Sequence, residues 1–416
     1  MHDDKIGVVV ATAMSITIVV GAGLLALPGL SFGLAGKFGF LPWILVAALM
    51  VPLLYIFAYF GANNPSAGGV VGYIRVALGQ KFASMAEMIV LGTFTLGIPA
   101  IALIGSQYLR QAVPGITVLQ AGLLVIALAY IAGVVGLKLS GTIQTVIAAF
   151  IVIGLSAIAV FFLFNAQWPT VAIPLNIEFN QYEGIASAIP IILFAYTGWE
   201  MTAFLAEDMK NPKRDMPTSI WASFAIVVLM YVFVAWTVAT FAEDNDGWKL
   251  TPFIELAKSS FGQFGGVVVG FIAALLVIAN VIAAFISASR GIYSAGRDGF
   301  LPKIIGSTNK NGQPMIAMTL TWLLFSTIVF VAQEWGFGAE SLLQLAGQNF
   351  FILYLLCSIG FAKIHYGMNI KFLVSIIAIA SVLMMLALFS FPGVIYCTGL
   401  AILGLFFSKK SALNNT

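Results

Sequence analysis

Apolar stretches of about twenty residues recur along this chain, and they constrain its fold more than any other feature. About 20 helical residues cross the roughly 30 Å of hydrocarbon in a bilayer. Because the last two stretches are separated only at Ser390-Phe391-Pro392-Gly393, a count of eleven is open beside a count of twelve. The sequence predicts membrane spans near residues 6–33, 38–62, 83–109, 117–136, 140–164, 184–206, 217–242, 265–290, 315–333, 340–362, 371–390 and 392–408.

Composition supports a membrane protein and argues against several classes of function. The chain is 61% hydrophobic and 8% charged, whereas soluble domains carry about 25% charged residues. Cys357 and Cys397 lie in apolar runs, and His2 and His365 are far apart. No P-loop string occurs, so an ATP-driven pump of that kind is not indicated. We therefore expect neither an enzyme nor a protein with a cofactor or a metal site.

Basic residues are distributed unequally between the two sets of loops that twelve spans create. Fifteen of the 19 lysines and arginines fall in one set together with both termini. The other set holds only Lys37, Arg110, Lys249 and Lys258. Because basic loops stay on the cytoplasmic side, the sequence predicts cytoplasmic termini and a multi-pass protein of the plasma (inner) membrane.

The first span contains residues that interrupt helices. Gly21-Ala22-Gly23 lies at its midpoint, and Pro28 follows after about one turn. Glycine and proline let the backbone leave helical geometry, which is costly in lipid unless the freed groups face a cavity or a ligand. Close helix packing explains small residues equally well, so the glycines alone do not decide between packing and binding.

The sixth span favours binding. It carries Pro190, Gly198 and Glu200 in one segment, and it stands where an inverted repeat of five plus five helices places the counterpart of the first span. Paired interrupted helices at corresponding positions indicate the binding site of a secondary transporter. Helix N-termini attract an anion and helix C-termini attract a cation. An α-amino acid, with its carboxylate and ammonium on one carbon, fits such a site.

Glu200 is the acidic residue that the sequence places well inside a span. An ionised, unpaired carboxylate at that depth is costly, so burial favours its protonated form. Two roles are open: coupling or gating, or a structural carboxyl that binds amides freed where the sixth helix unwinds.

Four motifs in order resemble the amino acid–polyamine–organocation (APC) superfamily. The first span is similar to its G-x-G signature, the sixth span to F-x-x-x-G-h-E, and the segments after the second and eighth spans to further family strings. Shorter strings resemble its YjeH-type exporters of L-methionine and branched-chain amino acids. The matching segments are residues 20–28, 65–70, 194–200, 207–217 and 293–303, and for the exporters residues 65–70, 97–100 and 144–148.

The resemblance implies an all-α, LeuT-like bundle of twelve transmembrane helices in a single domain, residues 1–416. Repeat one covers about 6–164, repeat two about 184–362, and two extra helices about 371–408. It implies that amides of Gly21, Ala22 and Gly23 hold the substrate carboxylate and that nearby carbonyls hold its ammonium. The further residues assigned to substrate binding on this basis are Ile18, Val19, Phe194, Ala195, Tyr196 and Gly198.

The resemblance also bears on gating, ion coupling and the substrate side chain. Phe194 falls where an aromatic gate covers the substrate in relatives. Some proton-coupled relatives have a lysine in the fifth span where this chain has the uncharged Ile151, which argues against ion coupling through such a lysine. We expect a proton as the coupling ion, and sodium remains open. Asn280 and Ala284, the pocket positions expected in the eighth span, are uncharged, which disfavours a cationic substrate.

The sequence therefore predicts an exporter of neutral hydrophobic amino acids, such as methionine, leucine, isoleucine and valine, that works by ion-coupled alternating access or antiport. An importer or exchanger of the same fold is the alternative, and a membrane sensor or channel is a second one. A channel would require a polar lining that these apolar spans do not offer. The oligomeric state is undetermined at this point.

Overall fold

The computed structural model describes residues 5–20, 23–64, 69–135, 141–165, 179–202, 206, 209–297, 301–310, 312–367, 369–388 and 390–413. Nearly all of these residues are helical. The helices are α1 Val8–Val19, α2 Gly23–Ala35, α3 Leu41–Asn63, α4 Gly69–Leu78, α5 Gln80–Ala112, α6 Val118–Val135, α7 Gly141–Asn165, α8 Phe179–Ala195, α9 Trp199–Thr202, α10 Pro212–Phe241, α11 Asp246–Leu250, α12 Pro252–Arg297, α13 Met315–Glu334, α14 Ala339–Ile364, α15 Ile370–Leu386 and α16 Phe391–Leu413.

Eight helices in the described part of the chain are long and apolar enough to cross a membrane: α3, α5, α6, α10, α12, α13, α14 and α16. Helices suit lipid because they satisfy their backbone polar groups internally. Buried hydroxyls are satisfied in the same way. Ser15, Thr93 and Thr321 each donate to the carbonyl four residues earlier, at 2.7 to 2.8 Å. The chain is thus a multi-pass helical membrane protein.

Two predicted spans are interrupted helices. The first consists of α1, which ends at Val19, and α2, which begins at Gly23. The sixth consists of α8 and α9, separated at Tyr196–Gly198. Both interruptions lie where glycine was expected to let the chain leave helical geometry.

The two interrupted helices run antiparallel. Near the start of α1, Lys210 donates its backbone N–H to the Ile6 carbonyl at 3.0 Å. At the middle, a methyl group added at Gly23 would lie 3.7 Å from the Cβ of Ala195. At the far end, a methyl group at Gly184 would meet the carbonyl oxygen of Leu34. Residue numbers rise along one helix while they fall along the other, so the two breaks face each other.

The chain divides into two compact units. The first contains residues 1–78, 140–269 and 351–389, and the second contains residues 79–139, 270–350 and 390–416. In the first unit, α2 packs against α8 and α10, α1 packs against α7, α9 and α10, and α3 packs against α8 and α10. In the second unit, α5 packs against α6, α13 and α16.

Helix boundaries in the structure bear on the last two predicted spans and on the eighth. The last two spans are separate helices, α15 and α16. The eighth span was predicted near 265–290, but α12 runs from Pro252 to Arg297 and changes direction at Gly262, whose φ is 68°. Because glycine alone adopts positive φ without strain, Gly262 joins a preceding segment to the spanning helix.

Candidate functional site

The first break places a helix C-terminus next to a helix N-terminus. Val20, which follows α1, donates its N–H to the Ile16 carbonyl at 2.7 Å. The last carbonyls of a helix and the first N–H groups of the next have no partner within their own helix. Gly23 begins α2 and is buried, so acceptors of α1 and donors of α2 meet near this point.

The second break is a short, hydrogen-bonded turn. Tyr196 donates its N–H to the Leu193 carbonyl at 2.8 Å. Thr197 donates its N–H and its hydroxyl to the Phe194 carbonyl, at 3.3 and 2.8 Å. Gly198 has a φ of 121°, a conformation that disfavours any side chain. Of the predicted acceptors here, Phe194 is thus already engaged with Thr197.

A tyrosine on α10 joins the two breaks. The hydroxyl of Tyr231 lies 3.1 Å from the carbonyl oxygen of Val19 and 3.1 Å from that of Ala195. Val19 ends α1 and Ala195 ends α8, so the C-terminal ends of two helices are directed at one oxygen atom. A hydroxyl has a single proton to donate. The two carbonyls therefore offer more acceptor capacity than Tyr231 can satisfy.

Aromatic rings surround this meeting point and exclude water from it. Trp43, Tyr196, Trp199 and Tyr231 are each 0% exposed. The ring of Tyr231 contacts Trp43 edge to face at 4.9 Å and Tyr196 at 5.3 Å. Tyr196 donates its hydroxyl to the Trp43 carbonyl at 3.0 Å. The rings hold the Tyr231 hydroxyl in place within an apolar shell, where its electrostatic interactions are strong.

A short segment covers the far end of α2. A methyl group added at Gly29 would collide with the carbonyl oxygens of Trp248 and Lys249, which belong to α11. At Gly33 the nearest atoms are those of the Lys249 side chain, at 3.4 Å. Lys249 pairs with Asp244 at 2.5 Å, and that hydrogen bond raises the pKa of Lys249. Because Gly29 has no side chain, the backbone of α11 packs directly against α2.

The structure brings together Val19, Gly23, Ala195, Tyr196 and Gly198 from the predicted site. Phe194 is partly exposed and adjoins them in sequence. Ile18 is in α1 and Glu200 in α9, but the placement of their side chains is not described. Gly21 and Ala22 lie outside the described residues. Asn280 and Ala284 are on α12 in the second unit and are partly exposed. Among the described residues, no group of three or more His, Cys, Asp or Glu side chains could hold a metal ion.

Tyr231 is not among the site residues that the sequence predicts. It follows Val228-Leu229-Met230 in an apolar run, where a tyrosine is as compatible with helix packing as with a polar role. Its partners are carbonyls, which every residue has. No pattern of residue types could therefore have identified the contact.

Comparison with known proteins identifies the family of this chain. The model of the family described as "Amino acid permease" matches residues 6–400. The chain is 26% identical over 408 residues to the uncharacterized amino acid permease YecA of Bacillus subtilis (strain 168), covering 96% of this chain and 94% of that one.

Two further relatives are similar over most of their length. The L-methionine/branched-chain amino acid exporter YjeH of Escherichia coli (strain K12) is 27% identical over 382 residues, 87% of each chain. The branched-chain amino acid permease BcaP of Lactococcus lactis subsp. cremoris (strain MG1363) is 24% identical over 387 residues, 84% of this chain and 79% of that one. The family model spans nearly the whole chain, so this protein belongs to the amino acid permease family of the APC superfamily.

Proposed function

We propose that this permease is a secondary active transporter that exports neutral hydrophobic amino acids by ion-coupled alternating access. The observation that carries the proposal is the convergence of the Val19 and Ala195 carbonyls on the Tyr231 hydroxyl, 3.1 Å from each. An ammonium group has three donors. It can satisfy both carbonyls at once, which the hydroxyl cannot.

The α-carboxylate of the substrate belongs at the other side of the first break. Helix α2 begins at Gly23, and the N-terminal end of a helix attracts an anion through its free N–H groups and its dipole. We assign the carboxylate to the amides of Gly21, Ala22 and Gly23. A carboxylate at α2 and an ammonium at Val19 and Ala195 require an amino acid with both groups free.

The preference for neutral hydrophobic substrates rests on residues and on relatives. Asn280 and Ala284, the proposed pocket positions on α12, carry no charge that would bind a cationic side chain. The relative YjeH is an exporter of L-methionine and branched-chain amino acids. The relative BcaP is a branched-chain amino acid permease, which keeps import or exchange of the same substrates as the second candidate function.

The division of the chain supports a repeat of five plus five helices within a twelve-helix bundle. The first unit holds the first, second, sixth and seventh predicted spans, and the second unit holds most of the third, fourth, eighth and ninth. Each of the first four spans thus shares a unit with the span five positions later, while the fifth lies in the first unit and the tenth is divided between the two units. The antiparallel course of the first and sixth spans is the relation that an inverted repeat requires.

Glu200 is the proposed coupling residue, next to the second break in α9. A carboxyl at membrane depth gains or loses its proton at a cost that depends on its surroundings, so it can link proton movement to the break. Glu200→Gln should flatten the dependence of transport on pH. An unchanged pH dependence assigns Glu200 a structural role.

Counterflow in proteoliposomes tests the proposed function. Vesicles loaded with methionine, leucine, alanine or arginine are diluted into a trace of labelled methionine. We expect methionine or leucine inside the vesicles to drive uptake of the label. Arginine inside the vesicles should drive none. Absence of counterflow with every amino acid would contradict the proposal. Uptake of the label driven by arginine as strongly as by methionine would retain the transporter but reject the neutral substrate class.

A further inference from the structure

The ends of three helices meet around one phenol group in the first unit. Tyr59 lies in the last turns of α3, His365 follows α14, and Lys371 lies in the first turn of α15. The Nε2 of His365 is 3.0 Å from the Tyr59 hydroxyl, and the Nζ of Lys371 is 3.5 Å from the same oxygen. Lys371 also lies over the Tyr59 ring, 4.5 Å from its centroid. We call these three residues the junction.

The partners of His365 determine which of its nitrogens carries a proton. Its Nδ1 lies 3.1 Å from the Phe361 carbonyl oxygen. A carbonyl only accepts, so Nδ1 must donate. The neutral ring then has a lone pair on Nε2, which accepts the hydroxyl proton of Tyr59. Lys371 has no lone pair and donates to the Tyr59 oxygen. The hydrogen bonds therefore run in one direction, from Lys371 through Tyr59 to His365.

A second proton on the His365 ring is incompatible with this direction of the hydrogen bonds. The imidazolium has no acceptor, so Nε2 would have to donate to Tyr59, and the Tyr59 hydroxyl would have to turn to another partner. Two cationic nitrogens would then lie within 3.5 Å of one oxygen. The surrounding rings, Phe361 at 4.3 Å and Tyr59 at 4.9 Å from the histidine ring, add no negative charge.

Basic residues flank His365 in the chain. Lys371 faces His365 from α15, and Tyr59 faces it from α3. On α14 itself, Lys363 donates to the Ala77 carbonyl at 3.2 Å. Within the described residues, no carboxylate forms an ion pair with His365. The C-terminal end of α14 attracts a cation, whereas the Lys371 ammonium repels one.

We propose that His365 is a proton-binding site, and that a proton there loosens the junction of α3, α14 and α15. Histidine changes its charge between about pH 5 and pH 8. The effect extends to α15, because Asn369 caps that helix by accepting the Phe372 N–H at 2.9 Å and also donates to the His365 carbonyl at 3.2 Å. The inference does not depend on the identity of the transported substrate.

The histidine content of the chain makes a direct test practical. The chain has two histidines, His2 and His365, so a His2→Ala variant purified with a histidine-free tag contains a single histidine. Nitrogen NMR of this variant, labelled with ¹⁵N-histidine, reports both ring nitrogens. At the alkaline end of the titration we expect a protonated Nδ1 and an unprotonated Nε2. A protonated Nε2 with a bare Nδ1 would overturn the proposed order of hydrogen bonds.

Amide hydrogen exchange tests whether a proton on His365 loosens the junction. After correction for intrinsic rates, we expect amides of residues 365–373 to exchange faster by about fivefold or more at low pH than at high pH. His365→Gln is the matched variant, since its amide oxygen still accepts from Tyr59 and it cannot be protonated. It should lose this pH dependence. An equal pH dependence in both proteins, or none in the parent, would reject the proposal.

Discussion

The carbonyl oxygens of Val19 and Ala195, which end α1 and α8, lie within hydrogen-bond distance of the same hydroxyl group, that of Tyr231. Each oxygen has two lone pairs, and Tyr231 supplies one proton between them. Together with the adjoining start of α2, this shortage of donors is the basis of our proposal that the break binds an ammonium group.

Removal of the Tyr231 hydroxyl tests whether substrate and tyrosine share these acceptors. Tyr231→Phe keeps the ring contacts and should destabilise the substrate-free protein by about 1 kcal/mol. Because the substrate ammonium then supplies the missing donor, the thermal stabilisation by methionine should be larger than in the parent. Thermal unfolding with and without methionine measures both effects.

A matched variant on the same helix controls for general weakening. Ser223 accepts a hydrogen bond from the Trp199 indole at 3.1 Å. Ser223→Ala should lower stability by a similar amount of about 1 kcal/mol, with the methionine effect unchanged. If both variants respond to methionine as the parent does, Tyr231 and the substrate do not share acceptors.

Gly29 tests the contact between α2 and α11. In Gly29→Ala the new methyl group meets two carbonyl oxygens of α11, and overpacking of this kind costs about 1–3 kcal/mol. The α11 segment should lift from α2, which faster labelling of a cysteine introduced at the buried Thr251 would detect. Gly33→Ala, with a nearest contact of 3.4 Å to a flexible lysine, should label at the parental rate. Equal labelling of both variants would contradict the close contact.

Gly184 tests the antiparallel packing of the two interrupted helices. Gly184→Ala places a methyl group against the Leu34 carbonyl oxygen, so we expect a loss of about 1–3 kcal/mol in the free energy of unfolding. Ser187→Ala, at an exposed position on the same helix, should change stability by less than about 0.5 kcal/mol. A Gly184→Ala protein as stable as the parent would mean that α8 and α2 do not approach as described.

The sequence was sufficient to predict where the helices break but not what joins the breaks. Gly198 has a φ of 121° at the second break, and Gly23 begins the helix that follows the first break, so residue type alone indicates both positions. The contact of Tyr231 with two carbonyls depends on the register between α10, α1 and α8, which no residue pattern encodes. Gly29 and Gly184 were missed for a similar reason. A glycine inside an apolar helix gives no indication of which backbone approaches it.

The predicted eighth span shows a second limit. Hydropathy placed its start near 265, because the polar residues before that point do not belong in lipid. The helix itself starts at Pro252 and bends at Gly262. Hydropathy reports which residues suit a membrane, whereas helix formation also continues outside it, so the two boundaries differ.

The most direct test of the site is competition in methionine counterflow by analogues that lack one end of the amino acid. N-acetylmethionine has no ammonium for Val19 and Ala195, and 3-(methylthio)propylamine has no carboxylate for the start of α2. We predict that unlabelled methionine abolishes uptake of the label and that neither analogue competes at the same concentration. Competition by either analogue at the level of methionine would contradict a site that binds both ends of the amino acid.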